Sequence, residues 1–228
     1  MVSQQLANIF LRVNAACGRA GRLPGEVLLL AVTKTQSVER INAALAAGIT
    51  AIGENRVQEY LEKRPALRPH EFHFIGHLQR NKVKQILPHC AWIHSVDSLR
   101  LAEELRQQAR SLPAPVSVLA EVNTSGEASK DGIDPTEAYA LADILHGSEG
   151  LVFRGFMTVA APADDAEEVR PSFRMLRTLL DETRARFNDP RINQLSMGMS
   201  GDYEVAIEEG ATIVRLGTAL FGERQANV

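Results

Sequence analysis

The sequence predicts an α/β protein folded as a single (β/α)8 TIM barrel with an additional helix at its N-terminus. Eight short apolar runs alternate with segments of helical period from one end of the chain to the other, the pattern of a parallel sheet. The length of 228 residues suits eight compact units, since such barrels typically take ~250 residues. No Pro-, Gly- or Ser-rich linker divides the chain, so residues 1–228 read as one domain.

The elements follow in order. The opening MVSQQLANIFLRVNAACGRAG places Leu6, Ile9, Phe10, Val13 and Ala16 at helical spacing, without the basic start and continuous apolar run of a signal peptide. Strands are expected at 27–33, 50–54, 71–76 and 91–96, with the helical segments SVERINAALAAG, NRVQEYLEKR and NKVKQILPH between them. VDSLRLAEELRQQARS leads to a fifth strand at 116–123, and PTEAYALADILHGSE to a sixth at 151–159. AEEVRPSFRMLRTLLDETRARF leads to a seventh at 194–198, and DYEVAIEEG to an eighth at 212–217. Gly48 and Gly210 each stand after a last helical turn and before a strand, where a left-handed C-cap is wanted.

Composition narrows the function. A net charge of -3 argues against a general polyanion-binding surface, and the densest basic patch, QRNKVKQ, fits one polar helix face. No nucleic-acid partner is expected. No stretch approaches the ~20 apolar residues of a membrane span, so no membrane partner is expected and the chain reads as cytoplasmic. Cys17 and Cys90 have no metal-type spacing and read as two idle or buried thiols, with a disulfide left open. His70, His89, His94 and His146 also lack ligand spacing, and no metal is expected. His73 and Phe74 belong to an alternating strand with no chemical role assigned, and Arg40 reads as an ordinary surface charge.

In a barrel of this kind the chemistry sits where strands end and βα loops begin. That rule selects Lys34 after the first strand, Glu54, Asn55 and Arg56 after the second, and His77 after the third. It selects Ser95, Asn123 and Met157 on the next three, then Ser196, Met197, Ser200 and Gly201, and finally Arg215, Gly217 and Thr218. The loops SMGMSGDYEVAI and RLGTALFG combine glycines and hydroxyls at a helix start, which makes an anion cradle. Singly, Ser200 is an N-cap and Gly217 a turn glycine; together, on the last two strands, they point to phosphate. Strands one and eight are neighbours in a closed barrel, so Lys34 lies beside that cradle. A lysine beside a phosphate site describes a bound phosphorylated aldehyde, and pyridoxal 5′-phosphate is the candidate.

The motifs AVTKTQ, GENRVQE, FHFIGHLQRNK, HSVDS, RGFMT, LSMGMSGDYEVAI and VRLGTALFG together resemble the pyridoxal-phosphate homeostasis protein family, whose fold is similar to the N-terminal barrel of bacterial alanine racemase (fold type III). The resemblance runs from about residue 5 to 223. It implies that Lys34 carries the cofactor as a Schiff base, that Ser200, Gly201, Gly217 and Thr218 hold the phosphate, and that Arg215 faces the pyridine nitrogen. It also implies that Asn55, His77, Ser95 and Met157 line the ring pocket. From the residues alone, Asn55 and His77 serve equally as helix caps, and Met157 as core filling. A guanidinium keeps its proton and cannot accept from a pyridinium, so Arg215 favours an unprotonated ring and suits holding an aldehyde better than carbanion chemistry.

Three functions compete on these residues. The first is a non-catalytic carrier or buffer in pyridoxal-phosphate homeostasis, a monomer that hands the cofactor to apo-enzymes. The second is an amino-acid racemase or other fold type III enzyme. Racemases of this fold take an opposing tyrosine from a second domain, which is not expected here, and Tyr60, Tyr139 and Tyr203 all fall in expected helices. The third is an aldolase-type barrel with Lys34 as the Schiff-base lysine; only Glu54 and Glu121 then stand as acids at strand ends. The carrier reading is preferred, with no residue assigned to catalysis.

Overall fold

The computed structural model describes residues 2–127 and 130–223. Eight parallel strands close into a barrel in sequence order. They are β1 (Leu28–Val32), β2 (Ala51–Glu54), β3 (Glu71–Phe74), β4 (Trp92–Val96), β5 (Val116–Glu121), β6 (Leu151–Met157), β7 (Gln194–Ser196) and β8 (Ile213–Leu216). The seam between β1 and β8 pairs Leu28 with Ile213 and Leu30 with Arg215. The TIM barrel expected from the alternation is what the chain forms. Most strands stop one or two residues short of their expected C-terminal ends, because those residues leave the ladder to build the loops of the mouth.

The helix layer comprises α1 (Val2–Arg19), α2 (Val38–Ala46), α3 (Val57–Lys63), α4 (Val83–Ile86), α5 (Leu99–Ala109), α6 (Ala138–His146), α7 (Arg170–Phe187), α8 (Tyr203–Glu208) and α9 (Thr218–Phe221). Alternation along each strand divides its side chains. Leu29, Ala31, Ile52 and Val214 join the core between strands and helices, whereas Leu30, Ala51 and Ile213 form a separate cluster inside the barrel. Gly48 and Gly210 take φ of 111° and 102°, the C-cap geometry the sequence asked for.

The helix after β8 is a single turn, too short to cover the seam it follows. The N-terminal helix supplies the cover. Leu6, Ile9, Val13, Ala16 and Cys17 on α1 are buried, and the helix packs against α8, α9 and α2. Its outer edge is tied down by Arg19 to Glu208 at 2.6 Å and by Arg22 Nη1 to the carbonyls of Ile207 and Ala211, each at 2.8 Å. The additional helix therefore completes the ring. Arg40 differs from its expected role as a free surface charge: it donates to the Phe221 carbonyl and lies over the Phe221 ring, fastening α9 to α2. Cys17 and Cys90 are both buried and free.

Gly155 marks a bulge between β5 and β6, with φ of 138°. A Cβ there would stand 2.2 Å from the Gln194 carbonyl oxygen. Gly155→Ala is expected to cost about 2–3 kcal/mol by backbone strain and overpacking, read as a lower urea midpoint at unchanged m-value.

Candidate functional site

The strand ends of β7, β8 and β1 converge on one corner of the barrel mouth. Beyond β7, Gly198 takes φ of 92°, and a Cβ at that position would meet Ala206 at 2.6 Å, so only glycine lets the loop turn against α8. The Arg215 amide donates to the Gly198 carbonyl and the Ala219 amide to Ser200 Oγ, both at 3.0 Å, which binds the β7 and β8 loops to each other. The three atoms nearest to where a Cβ of Gly217 would be all belong to Val32 on β1, at 3.6 Å or more, and a Cβ at Gly201 would meet open space. Among the described residues, the N–H groups of Ser200, Gly201, Gly217 and Thr218 donate to no protein acceptor. These are the loops in which the sequence predicts an anion cradle.

Lys34 follows β1 by two residues and is half-buried. Its turn is braced from behind. Thr35 holds φ of 63°, an uncommon value for a residue with a branched Cβ, and its N–H donates to Glu59 Oε1 at 2.5 Å. Lys63 Nζ lies under the turn, donating to the Thr33 carbonyl at 3.1 Å, Glu54 Oε1 at 3.2 Å and Glu59 Oε1 at 2.6 Å. Glu54 is buried, with its other oxygen unpartnered, and burial raises its pKa against the opposing charge of Lys63. Sequence reading took Glu54 as a possible proton shuttle; it faces the helix layer and serves the turn that presents Lys34.

Arg215 projects into the barrel and is only 5% exposed. Nη1 donates to the Ser196 carbonyl at 2.7 Å and to Ser196 Oγ at 2.8 Å, and Nη2 donates to the Thr158 carbonyl at 2.8 Å. Of the five N–H groups on a guanidinium, this leaves a donor on Nη2 and the Nε–H. Burial lowers its pKa to about 10, so it remains a cation at neutral pH, with Glu121 and Asp202 opposing the shift. Among the described residues, the buried Ser95 Oγ on β4 and the buried Asn55 Oδ1 after β2 find no partner. Met157 ends β6 beside Glu121 on β5 and is buried.

His77 lines one cleft with Asn55, Arg56, Gln79 and Lys82; its side chain is 55% exposed, and its Nδ1–H donates to Asp97 at 2.7 Å. Glu121 was noted at its strand end only for an aldolase. It is 5% exposed, and its pKa is raised to about 8 by burial and the carboxylates of Asp97 and Asp131, against Arg215. Sequence reading also missed a file of polar side chains inside the barrel: Glu71, His73, His94 and Ser196, which ends on Arg215. The available signal was strand parity, since His73 and His94 each sit on an inward position.

The alanine racemase N-terminal domain family matches residues 5–225. The pyridoxal phosphate homeostasis protein of Vibrio alginolyticus is 42% identical over 229 residues, spanning 98% of this chain and 97% of that protein. That of Aquifex aeolicus is 43% identical over 224 residues, spanning 97% and 98%. Among solved structures, PipY of Synechococcus elongatus with PLP bound superposes with a TM-score of 0.85 at 36% identity, covering 97% of this chain and all of that one (100%). Alanine racemase of Corynebacterium glutamicum, 16% identical and with a TM-score of 0.67, covers 98% of this chain and 63% of its own and shares the fold. By its sequence and its barrel, the chain belongs to the pyridoxal phosphate homeostasis protein family.

Proposed function

We propose that the protein binds pyridoxal 5′-phosphate at the barrel mouth as a reversible Schiff base on Lys34, and acts in the homeostasis of that cofactor as a carrier or buffer. The observation that carries this reading is the seam where β1, which ends two residues before Lys34, pairs with β8, the strand of Arg215, next to the joined β7 and β8 loops. The residues fit the group. Four free amides and two hydroxyls stand where a phosphate would be held, by Ser200, Gly201, Gly217 and Thr218. The buried, unpartnered Asn55 Oδ1 and Ser95 Oγ face a need for a polar neighbour that the protein does not meet.

The cofactor supplies an aldehyde that condenses reversibly with an amine. The protein's own part is to present Lys34 on a braced turn, to anchor the phosphate, and to direct an N–H of Arg215 toward the ring nitrogen. Such a donor leaves the ring unprotonated and weak as a carbanion sink. No tyrosine stands opposite Lys34: Tyr60 stacks on Phe72, Tyr139 bonds Glu182 on the outer surface, and Tyr203 is buried beneath Arg12. The arrangement supports holding the cofactor over racemisation. Incubation with L-alanine in deuterated water should accordingly leave the α-proton in place, and rapid exchange with a D-product would overturn the carrier reading.

Apo-enzymes are the proposed recipients, and the protein is taken as a monomer in the cytoplasm. The test is transfer: loaded protein should activate an apo-enzyme differently from free cofactor at the same concentration. Identical time courses would remove the carrier role, and light scattering on the eluting protein checks the monomer.

A further inference from the structure

We propose that Glu71, His73, His94 and Ser196 form a one-directional hydrogen-bond file through the barrel that positions the guanidinium of Arg215. The file begins on the opposite face from the mouth. Glu71 is the first residue of β3, and its carboxylate, half exposed, meets His73 Nε2 at 2.8 Å. His73 Nδ1 meets His94 Nε2 at 2.8 Å, His94 Nδ1 meets Ser196 Oγ at 2.9 Å, and Ser196 Oγ meets Arg215 Nη1 at 2.8 Å. Both imidazoles and Ser196 are fully buried.

The chemistry of the two ends dictates the direction. A carboxylate only accepts, so His73 donates from Nε2; a neutral imidazole then has only a lone pair on Nδ1. His94 must donate from Nε2 to that lone pair, which leaves its own Nδ1 to accept from the Ser196 hydroxyl. The Ser196 oxygen in turn accepts from Arg215. Every donor points away from the mouth, so the negative end of each bond faces the buried guanidinium. Burial depresses both imidazole pKa values, in keeping with two neutral rings. The opposite order needs an imidazolium on His73, a second buried cation in the file that ends on Arg215.

The interiors of such barrels are dominated by branched apolar side chains, which would fill this space without polar demands. The buried file instead fixes where Arg215 aims. It is not a proton conduit, because a guanidinium does not pass on its proton. His73 and His94 are thus positioning residues, and the value of the arrangement rests on the reading that Arg215 meets the ring nitrogen of pyridoxal phosphate.

Nitrogen-15 NMR of the cofactor-free protein tests the file directly. Both histidines should be neutral Nε2–H tautomers at neutral pH; an imidazolium or an Nδ1–H tautomer at either position overturns the proposal. A second arm uses loaded protein. His94→Phe should weaken pyridoxal phosphate binding about tenfold or more by leaving Ser196 and Arg215 unoriented, and should shift the nitrogen-15 resonance of the bound ring. His94→Gln, which accepts and donates at neighbouring atoms, should restore both. An unshifted ring resonance in His94→Phe overturns the positioning role. Absence of cofactor binding in the unsubstituted protein would instead defeat the functional reading and leave the tautomer result standing.

Discussion

Lys34→Ala is expected to abolish the visible absorption of cofactor-loaded protein that borohydride removes, while weak, phosphate-anchored binding survives. Two other lysines are committed elsewhere. Lys63 lies behind the barrel wall, committed to Thr33, Glu54 and Glu59, and Lys130 Nζ is held by the Ala160 carbonyl and Glu127. The cradle of Ser200, Gly201, Gly217 and Thr218 owes nothing to Lys34, so affinity falls by at least about tenfold without vanishing. The side chain is only half-buried, and stability should stay within about 0.5 kcal/mol of the unsubstituted protein. Titration followed by borohydride reduction and mass measurement reads both parts. A reducible band that persists in the variant would remove Lys34 from its role.

The contrast between Lys34 and Lys63 shows how much of the site was legible in the sequence. Lys34 could be proposed because it follows an apolar strand in a chain that also carries two loops of glycine and hydroxyl residues, all local signals. Lys63 carries the helical spacing of any surface lysine. Only the tertiary fold brings it under the turn, 30 residues back along the chain. The barrel itself follows from periodicity, because eight buried strands each need an apolar run. The covering role of α1 does not, since it depends on α9 being one turn long and leaving a gap.

The histidines make the same point from the other side. Read for metal spacing or as one alternating strand, His73 and His94 carry nothing. Their meaning arises from the β3–β4 register, which sets His73 opposite Trp92 and brings His94 alongside. It arises also from a contact across 102 residues to Ser196. His77 gives a further case: its place just past a strand is local, whereas its carboxylate neighbours Asp97 and Asp131 come from later loops that only the fold brings to it.

Glu121→Gln is expected to stabilise the cofactor-free protein increasingly as pH rises. Glu121 ends β5 on an inward position at the mouth, and its pKa is raised from 4.5 to about 8, chiefly by burial. Below 4.5 both folded and unfolded chains hold the proton, and the glutamate costs nothing. Between 4.5 and about 8 the unfolded chain releases it while the folded protein retains it, so stability falls as pH rises. At ~1.4 kcal/mol per pKa unit the cost approaches ~5 kcal/mol above that window. Glutamine has no proton to lose and escapes it. Glu54 and Asp202, also raised by burial, and Glu59 and Glu71, lowered by their hydrogen bonds, titrate in both proteins and cancel in the difference. Urea unfolding of the pair on either side of the window decides the matter: a stability difference independent of pH would refute the assignment. The same proton bears on the ligand. With Glu121 neutral, the Arg215 cation dominates the inner mouth and favours an anionic phosphate; once ionised above about pH 8, Glu121 repels it. Cofactor affinity should therefore decline through that pH in the unsubstituted protein, and hold further up the scale in the glutamine variant.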